Sequence, residues 1–183
     1  MMQEFVQQVM ENIDGAIRGV HTCLPGKIVS FDAGKGLATV APTMKFKKPD
    51  GSKMDFPQVT GVPVVFPQVM GQNATIAYPI KAGDGCLILV AEQSIDYWMY
   101  GQETDTDLAF DLSNAICIPG LFVPANATMK EACDKSAVIV NVSGTKLTVK
   151  GGLIQMDAAE VIINGNATVN GNFTTKGGVV NLN

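Results

Sequence analysis

The segment from Ala137 to Asn183 sets the tightest limit on what this chain can fold into. It is a series of short alternating runs: Val138-Ile139-Val140-Asn141-Val142, Lys146-Leu147-Thr148-Val149, Leu153-Ile154-Gln155-Met156 and Val161-Ile162-Ile163-Asn164. A repeat then closes the chain: Asn164-Gly165-Asn166-Ala167-Thr168-Val169 is followed by Asn170-Gly171-Asn172-Phe173-Thr174-Thr175, and Gly177 keeps the six-residue step. Alternation at period two means strands with one apolar face. Strands of about five residues with a single aromatic among them bury too little area to offset their own ordering entropy. Repeats of this kind become stable by stacking, on themselves or on other chains. The segment therefore predicts a β-helical rod, which argues for mechanics more than for chemistry.

Composition agrees with a chain that is buried in an assembly. Of its 183 residues, 46% are hydrophobic and 16% charged, and 19 are glycine. That excludes a disordered chain. A formal net charge of −4 disfavours duplex nucleic acid, whose phosphates are bound by clustered Lys and Arg. No run approaches the roughly 20 apolar residues of a membrane-spanning helix. The start, Met1-Met2-Gln3-Glu4-Phe5, has neither the basic residues nor the apolar stretch of a signal peptide, so synthesis as a cytosolic protein is expected.

Upstream of the rod the pattern changes twice. Val6, Val9, Met10, Ile13 and Ile17 recur at helical spacing, with Gln7, Gln8, Glu11 and Asn12 on the other face, and Gly19 is a plausible stop. A lone amphipathic helix ahead of a β-domain packs back on that domain or docks on a partner, and the pattern does not choose between them. From Leu24 to Pro124 the chain reads as β. A hairpin turns at Asp32-Ala33-Gly34-Lys35-Gly36, strands are expected over 59–66 and 74–80, and Cys86 to Val90 is the most apolar strand. Ser94 to Gly101 reads as a short helix capped by Ser94, and Ile116-Cys117-Ile118 as a last strand. Such an order fits a small Greek-key barrel of the OB type. The organisation expected is an N-terminal helix (1–20), a barrel domain (21–124), a linker (125–136) and a rod (137–183).

The central block resembles the N-terminal domain of the membrane-puncturing central spike proteins of contractile phage tails. The resemblance lies in Gly83-Asp84-Gly85-Cys86-Leu87-Ile88-Leu89-Val90, in Asp96-Tyr97-Trp98 with Gly101, and in Phe110 to Ile116 with Pro119-Gly120-Leu121. It spans roughly residues 20–124. It implies a homotrimer whose OB domains form a collar on the baseplate hub protein and continue into an intertwined three-chain β-helix or β-prism aimed at the target cell envelope. Its place would be the tail baseplate of the virion, or the equivalent part of a related injection particle, after synthesis in the host cytoplasm. The helix face of Val6, Val9, Met10, Ile13 and Ile17 would dock on the hub. The inward residues of the rod would be Val138, Val140, Val142, Leu147, Val149, Ile154, Met156, Val161, Ile163, Val169, Phe173, Val180 and Leu182. Spikes of this family often finish in an apex where His-x-His motifs from three chains bind iron. The single histidine here, His21, lies far upstream. No metal or cofactor is expected, and any cap on the rod would be a separate tip protein.

Catalysis finds little support in the residues. Nucleophilic catalysis needs a base, and His21 stands beside no recognisable nucleophile motif. Asp105, Asp107 and Asp111 lack the glycine and terminal glutamate of an EF-hand and read as a solvated acidic loop. The cysteines Cys23, Cys86, Cys117 and Cys133 have no metal-ligand spacing, and Cys86 and Cys117 sit in apolar runs as small buried hydrophobes. Trp98, between Tyr97 and Tyr100, is expected to pack on the barrel rather than serve as a recognition patch. The rival to the spike is an OB-fold binding module for single-stranded nucleic acid or oligosaccharide, suggested by Lys45, Phe46, Lys47, Lys48 and Lys53 on one β-loop. A left-handed β-helix acyltransferase, suggested by the six-residue glycine step, would need more coils and a catalytic histidine.

Overall fold

The structure is a computed structural model that describes residues 2–48, 50–102, 108–121 and 126–177. The chain divides into two compact units, Met1–Pro124 and Ala125–Asn183. The first opens with helix α1 (Met2–Gly19), followed by β1 (Cys23–Asp32), β2 (Leu37–Pro42), β3 (Lys45–Lys47), β4 (Lys53–Asp55) and β5 (Val59–Pro63). Next come β6 (Gln68–Val69), β7 (Ala74–Thr75), β8 (Gly85–Val90), α2 (Asp96–Tyr100), a 3-10 turn at Leu112–Asn114 and β9 (Ala115–Pro119). The second unit holds α3 (Ala127–Lys135), β10 (Val138–Val142), β11 (Thr145–Lys150) and β12 (Leu153–Asp157).

The main sheet of the first unit has five strands in the order β5-β2-β1-β8-β9, each antiparallel to its neighbours. Its outer strands approach each other again. Just past β5, Val64 bridges Cys117 in parallel, and the Val65 N–H donates to the Cys117 carbonyl at 2.9 Å. The sheet is thus curled into a half-barrel around Ile28, Val40, Val62, Cys86, Ile88 and Cys117, all essentially excluded from solvent. Cys86 and Cys117 are free thiols inside this core. Hydrogen bonding to Cys86 and burial hold the Cys117 thiol well above its ordinary range, which keeps it unreactive.

Local chemistry explains the corners. The Asp32 carboxylate accepts from the Gly34 and Lys35 N–H groups, and Gly36 takes a positive φ of 69° to close the predicted hairpin. At Gly83-Asp84-Gly85 the chain is tied to β1. The Gly83 N–H donates to the Ile28 carbonyl and the Ile28 N–H to the Asp84 carbonyl, where β1 shifts register by a bulge. A side chain at Gly85 would put its Cβ 1.9 Å from the Leu121 carbonyl oxygen, so the position admits no Cβ without moving backbone.

Several expectations need correction. The strands foreseen over 59–66 and 74–80 are shorter, ending at Pro63 and Thr75. Pro63, Pro67 and Pro79 supply no N–H to a ladder, and the Ile76 N–H turns back to the Pro67 carbonyl. Ser94 does not cap α2, whose N-cap is Ile95, although its hydroxyl accepts from the Asp96 N–H. The segment 125–136 contains helix α3, with the Asn126 side chain accepting from the Thr128 N–H as its N-cap. Among the described residues there is no β-helix. Residues 138–157 form an antiparallel meander, β10-β11-β12, and the described chain beyond it, 158–177, is exposed and forms no strand. The six-residue repeats offer only Ala167, Val169 and Phe173 as apolar side chains there, too few to hold strands without neighbouring copies.

Candidate assembly surfaces

The meander puts its apolar residues in register. Val138 pairs with Val149, which pairs with Ile154; Val140 pairs with Leu147, which pairs with Met156. Directly paired residues share a face of a sheet, so these two rows and Val142 lie side by side. The two-residue turns fix that register. Ser143 and Gly144 both take positive φ, and the Asn141 side chain accepts from the Gly144 N–H at 3.0 Å. A one-residue slip would send the whole set to the other face.

That other face carries Ile139, Asn141, Lys146, Thr148, Gln155 and Asp157, and it is the one α3 covers. The Asn141 amide donates to the Thr128 hydroxyl at 2.8 Å, and Lys146 donates to Glu131 at 2.6 Å. Glu131 also accepts from Lys135 at 2.6 Å. These two lysines hold its carboxyl far below the usual range, at about 2, Lys135 being the stronger cause. Thr148 lies beneath, 5% exposed. The chain's own helix therefore covers the mixed, hydrogen-bonding face, while Val138 stays 69% exposed and Ile154 67%. Ala158 and Val161, past β12, line the same apolar hollow as Val140, Val142, Leu147 and Met156. An apolar sheet face left to solvent beside a covered polar one makes this a candidate surface for a partner.

Of the other expected rod residues, Val161, Ile163, Val169 and Phe173 are exposed in irregular chain. Val180 and Leu182 lie outside the described residues, as do the loop acids Asp105 and Asp107. Sequence reasoning missed α3 and its Thr128 and Glu131; the i, i+4 charge pairs Lys130–Asp134 and Glu131–Lys135 were the available signal.

The second surface is α1. None of its residues is buried, and Val6, Val9, Met10, Ile13 and Ile17 are exposed together with Met2 and Phe5. Beyond the helix, the His21 N–H donates to the Phe110 carbonyl at 3.1 Å, and the imidazole meets the Phe56 ring edge-on at 5.8 Å. His21 is thereby engaged in packing next to Asp111, whose carboxyl is held below its usual range by the N–H and hydroxyl of Ser113, with a smaller contribution from His21.

The aromatic cluster of α2 reverses its expectation. Tyr97, Trp98 and Tyr100 are exposed, Trp98 by 75%, because Ile95 and Met99, four residues apart, take the inner side of this single turn. The basic loop is the β3–β4 hairpin. Lys45 pairs with Asp55 at 3.1 Å, and Phe46 turns edge-on to Phe56 at 6.3 Å instead of standing clear as a stacking platform. Among the described residues no cluster of His, Cys, Asp and Glu could hold a metal ion, and no helix is long and apolar enough to cross a membrane.

Residues 24–120, just over half the chain, match the family model described as the phage protein Gp138 N-terminal domain. The match begins at the second residue of β1 and ends just past β9, so it takes in all five strands of the sheet but for Cys23. No curated protein matches the chain.

Proposed function

Because the chain belongs to the phage protein Gp138 N-terminal domain family, we propose that it is the trimeric central spike of a contractile tail baseplate, a structural protein without catalytic activity. The first unit attaches the spike to the baseplate hub. The second builds the rod that punctures the target envelope on contraction, and a separate tip protein would cap it.

One observation carries this reading. The meander exposes Val138, Val149 and Ile154 in one row and Val140 and Met156, with the half-buried Leu147 between them, in the next, while its own helix covers the opposite, polar face. A threefold axis facing those rows buries three copies of each at once. Each side chain so buried contributes about 1.5–3 kcal/mol, and wrapping strands from three chains removes the free edges that otherwise aggregate. The repeats from Asn164 onward would then pair with their counterparts in the other copies, where the neighbours they need are supplied. The OB-type reading of the collar is supported by the strand order and by the parallel bridge between Val64 and Cys117, which joins the outer strands as that barrel requires.

The solution mass tests the proposal. Light scattering should give about three times the 19.3 kDa chain mass, and deletion of residues 137–183 should dissociate the assembly or lower its stability. A stable monomer would overturn it and turn attention to an OB-fold module, tested with single-stranded oligonucleotides and oligosaccharides.

A further inference from the structure

The face of α1 has a stricter pattern than an amphipathic stripe requires. Met2, Val6, Val9, Ile13 and Ala16 are spaced by alternating steps of four and three residues, the a/d repeat of a coiled coil, and Val20, just past the end of the helix, keeps the step. Taking Met2 as d puts Val6, Ile13 and Val20 at a, and Val9 and Ala16 at d. Every charge on the helix then falls outside the seam and its flanks: Glu4, Glu11 and Arg18 at f, Asp14 at b. The Gln7 amide donates to Glu11 at 3.0 Å on that outer side. The flanking positions carry Met10 and Ile17 at e and Phe5 at g, all exposed.

We infer that this face docks on the same face of two further copies of the chain, forming a parallel three-helix coiled coil. The occupant follows from charge and width. A helix read by a different protein commonly borders its apolar stripe with charges that set partner and orientation, whereas here nothing charged stands at e or g to oppose an identical neighbour. Leu at d with a β-branched residue at a favours two strands, but d here holds Met2, Val9 and Ala16, and the apolar surface widens onto e. Two helices bury a narrow a/d seam; a third covers the flank as well. Cyclic symmetry makes the three copies parallel. This rests on the trimeric reading above, and it reassigns to self-association the face that the resemblance to spike proteins gave to the hub.

Disulfide trapping in the full-length chain separates the two ideas. The exposed thiols are first removed by Cys23→Ser and Cys133→Ser, leaving the buried Cys86 and Cys117. Val6→Cys at a then places identical thiols across the seam, and Gln8→Cys at c places them outside it. After mild oxidation, the Val6→Cys chain should run as covalent dimer on a non-reducing gel at roughly tenfold the level of the Gln8→Cys chain, as seam and outer positions of a parallel coiled coil require. Equal, low yields from both in a chain that light scattering shows to be trimeric would overturn the coiled coil and leave the spike standing, with the helix face returned to the hub. Equal, low yields in a monomer would overturn both.

Discussion

The half-barrel and the meander are both antiparallel sheets of alternating residues, and they treat their apolar faces in opposite ways. The barrel turns Ile28, Val40, Val62 and Ile88 inward and closes over them with its own strands. The meander turns its valines, Ile154 and Met156 outward and places α3 over its polar side; the buried residue among the described part of that unit is a threonine, Thr148. A chain that needed only its own stability would have covered the other face. The difference teaches that alternation locates an apolar face without saying whose atoms will cover it. In the barrel the cover comes from distant strands of the same chain; in the meander, on our reading, it comes from two more copies.

The same substitution made in both regions puts that contrast at risk. Ile88→Ala empties a site with no exposure and should cost about 2–5 kcal/mol at any protein concentration. Ile154→Ala removes a side chain that is 67% exposed in one chain; on an isolated copy it should cost less than about 0.5 kcal/mol. In the assembled protein the loss should be larger and the melting temperature should depend on concentration, because association stabilises the folded form by mass action. Thermal melts over a hundredfold range of concentration, followed by circular dichroism, would show it. If Ile154→Ala is silent at every concentration, the open face is not an interface.

A smaller effect is expected from backbone crowding. Gly85→Ala pushes a methyl into the Leu121 carbonyl and should destabilise the barrel by about 1–3 kcal/mol. Gly151→Ala, in the meander's second turn, meets nothing within 4 Å and should change stability by less than about 0.5 kcal/mol. Equal effects from the two, measured by urea denaturation, would mean that the Gly83-Asp84-Gly85 corner is not as tightly held as its geometry indicates.

Legibility from sequence divides along the same line. The alternation from Val138 to Met156 was enough to place these residues on one side, since strand periodicity and two-residue turns leave one register. The α1 stripe and the Asp32–Gly36 hairpin were legible for similar reasons: each is a local pattern with a local cause. Helix α3 was not, because it packs through Thr128 and Glu131 onto Asn141 and Lys146, polar contacts that leave no apolar stripe to read. The outward turn of Trp98 was hidden because three aromatics within four residues cannot all face one side of a single turn, and Ile95 with Met99 took the inner one. The β-helix was inferred from repeats that form no strand among the described residues of one chain, and a single sequence does not place the strands of other copies in space.

The least effect is expected from acid, and it touches the face the chain covers for itself. Glu131 is held at about 2, against an ordinary value of 4.5, by Lys135 and then Lys146. Between those values the unfolded chain binds a proton that the folded unit does not. The contribution is therefore complete above about pH 4.5 and lost as pH falls toward 2. Glu131 lies at the surface, so solvent screens these ion pairs and the loss is small. Following the Thr148 amide by NMR through an acid titration should show α3 loosening over that window in the native chain, and no such step in Glu131→Gln. The variant should keep the oligomeric state of the native chain at neutral pH, since the substitution lies on the face opposite the valine rows. A Glu131→Gln chain that changed its assembly would mean that the two faces are coupled, and that α3 helps present the apolar rows as well as covering the polar ones.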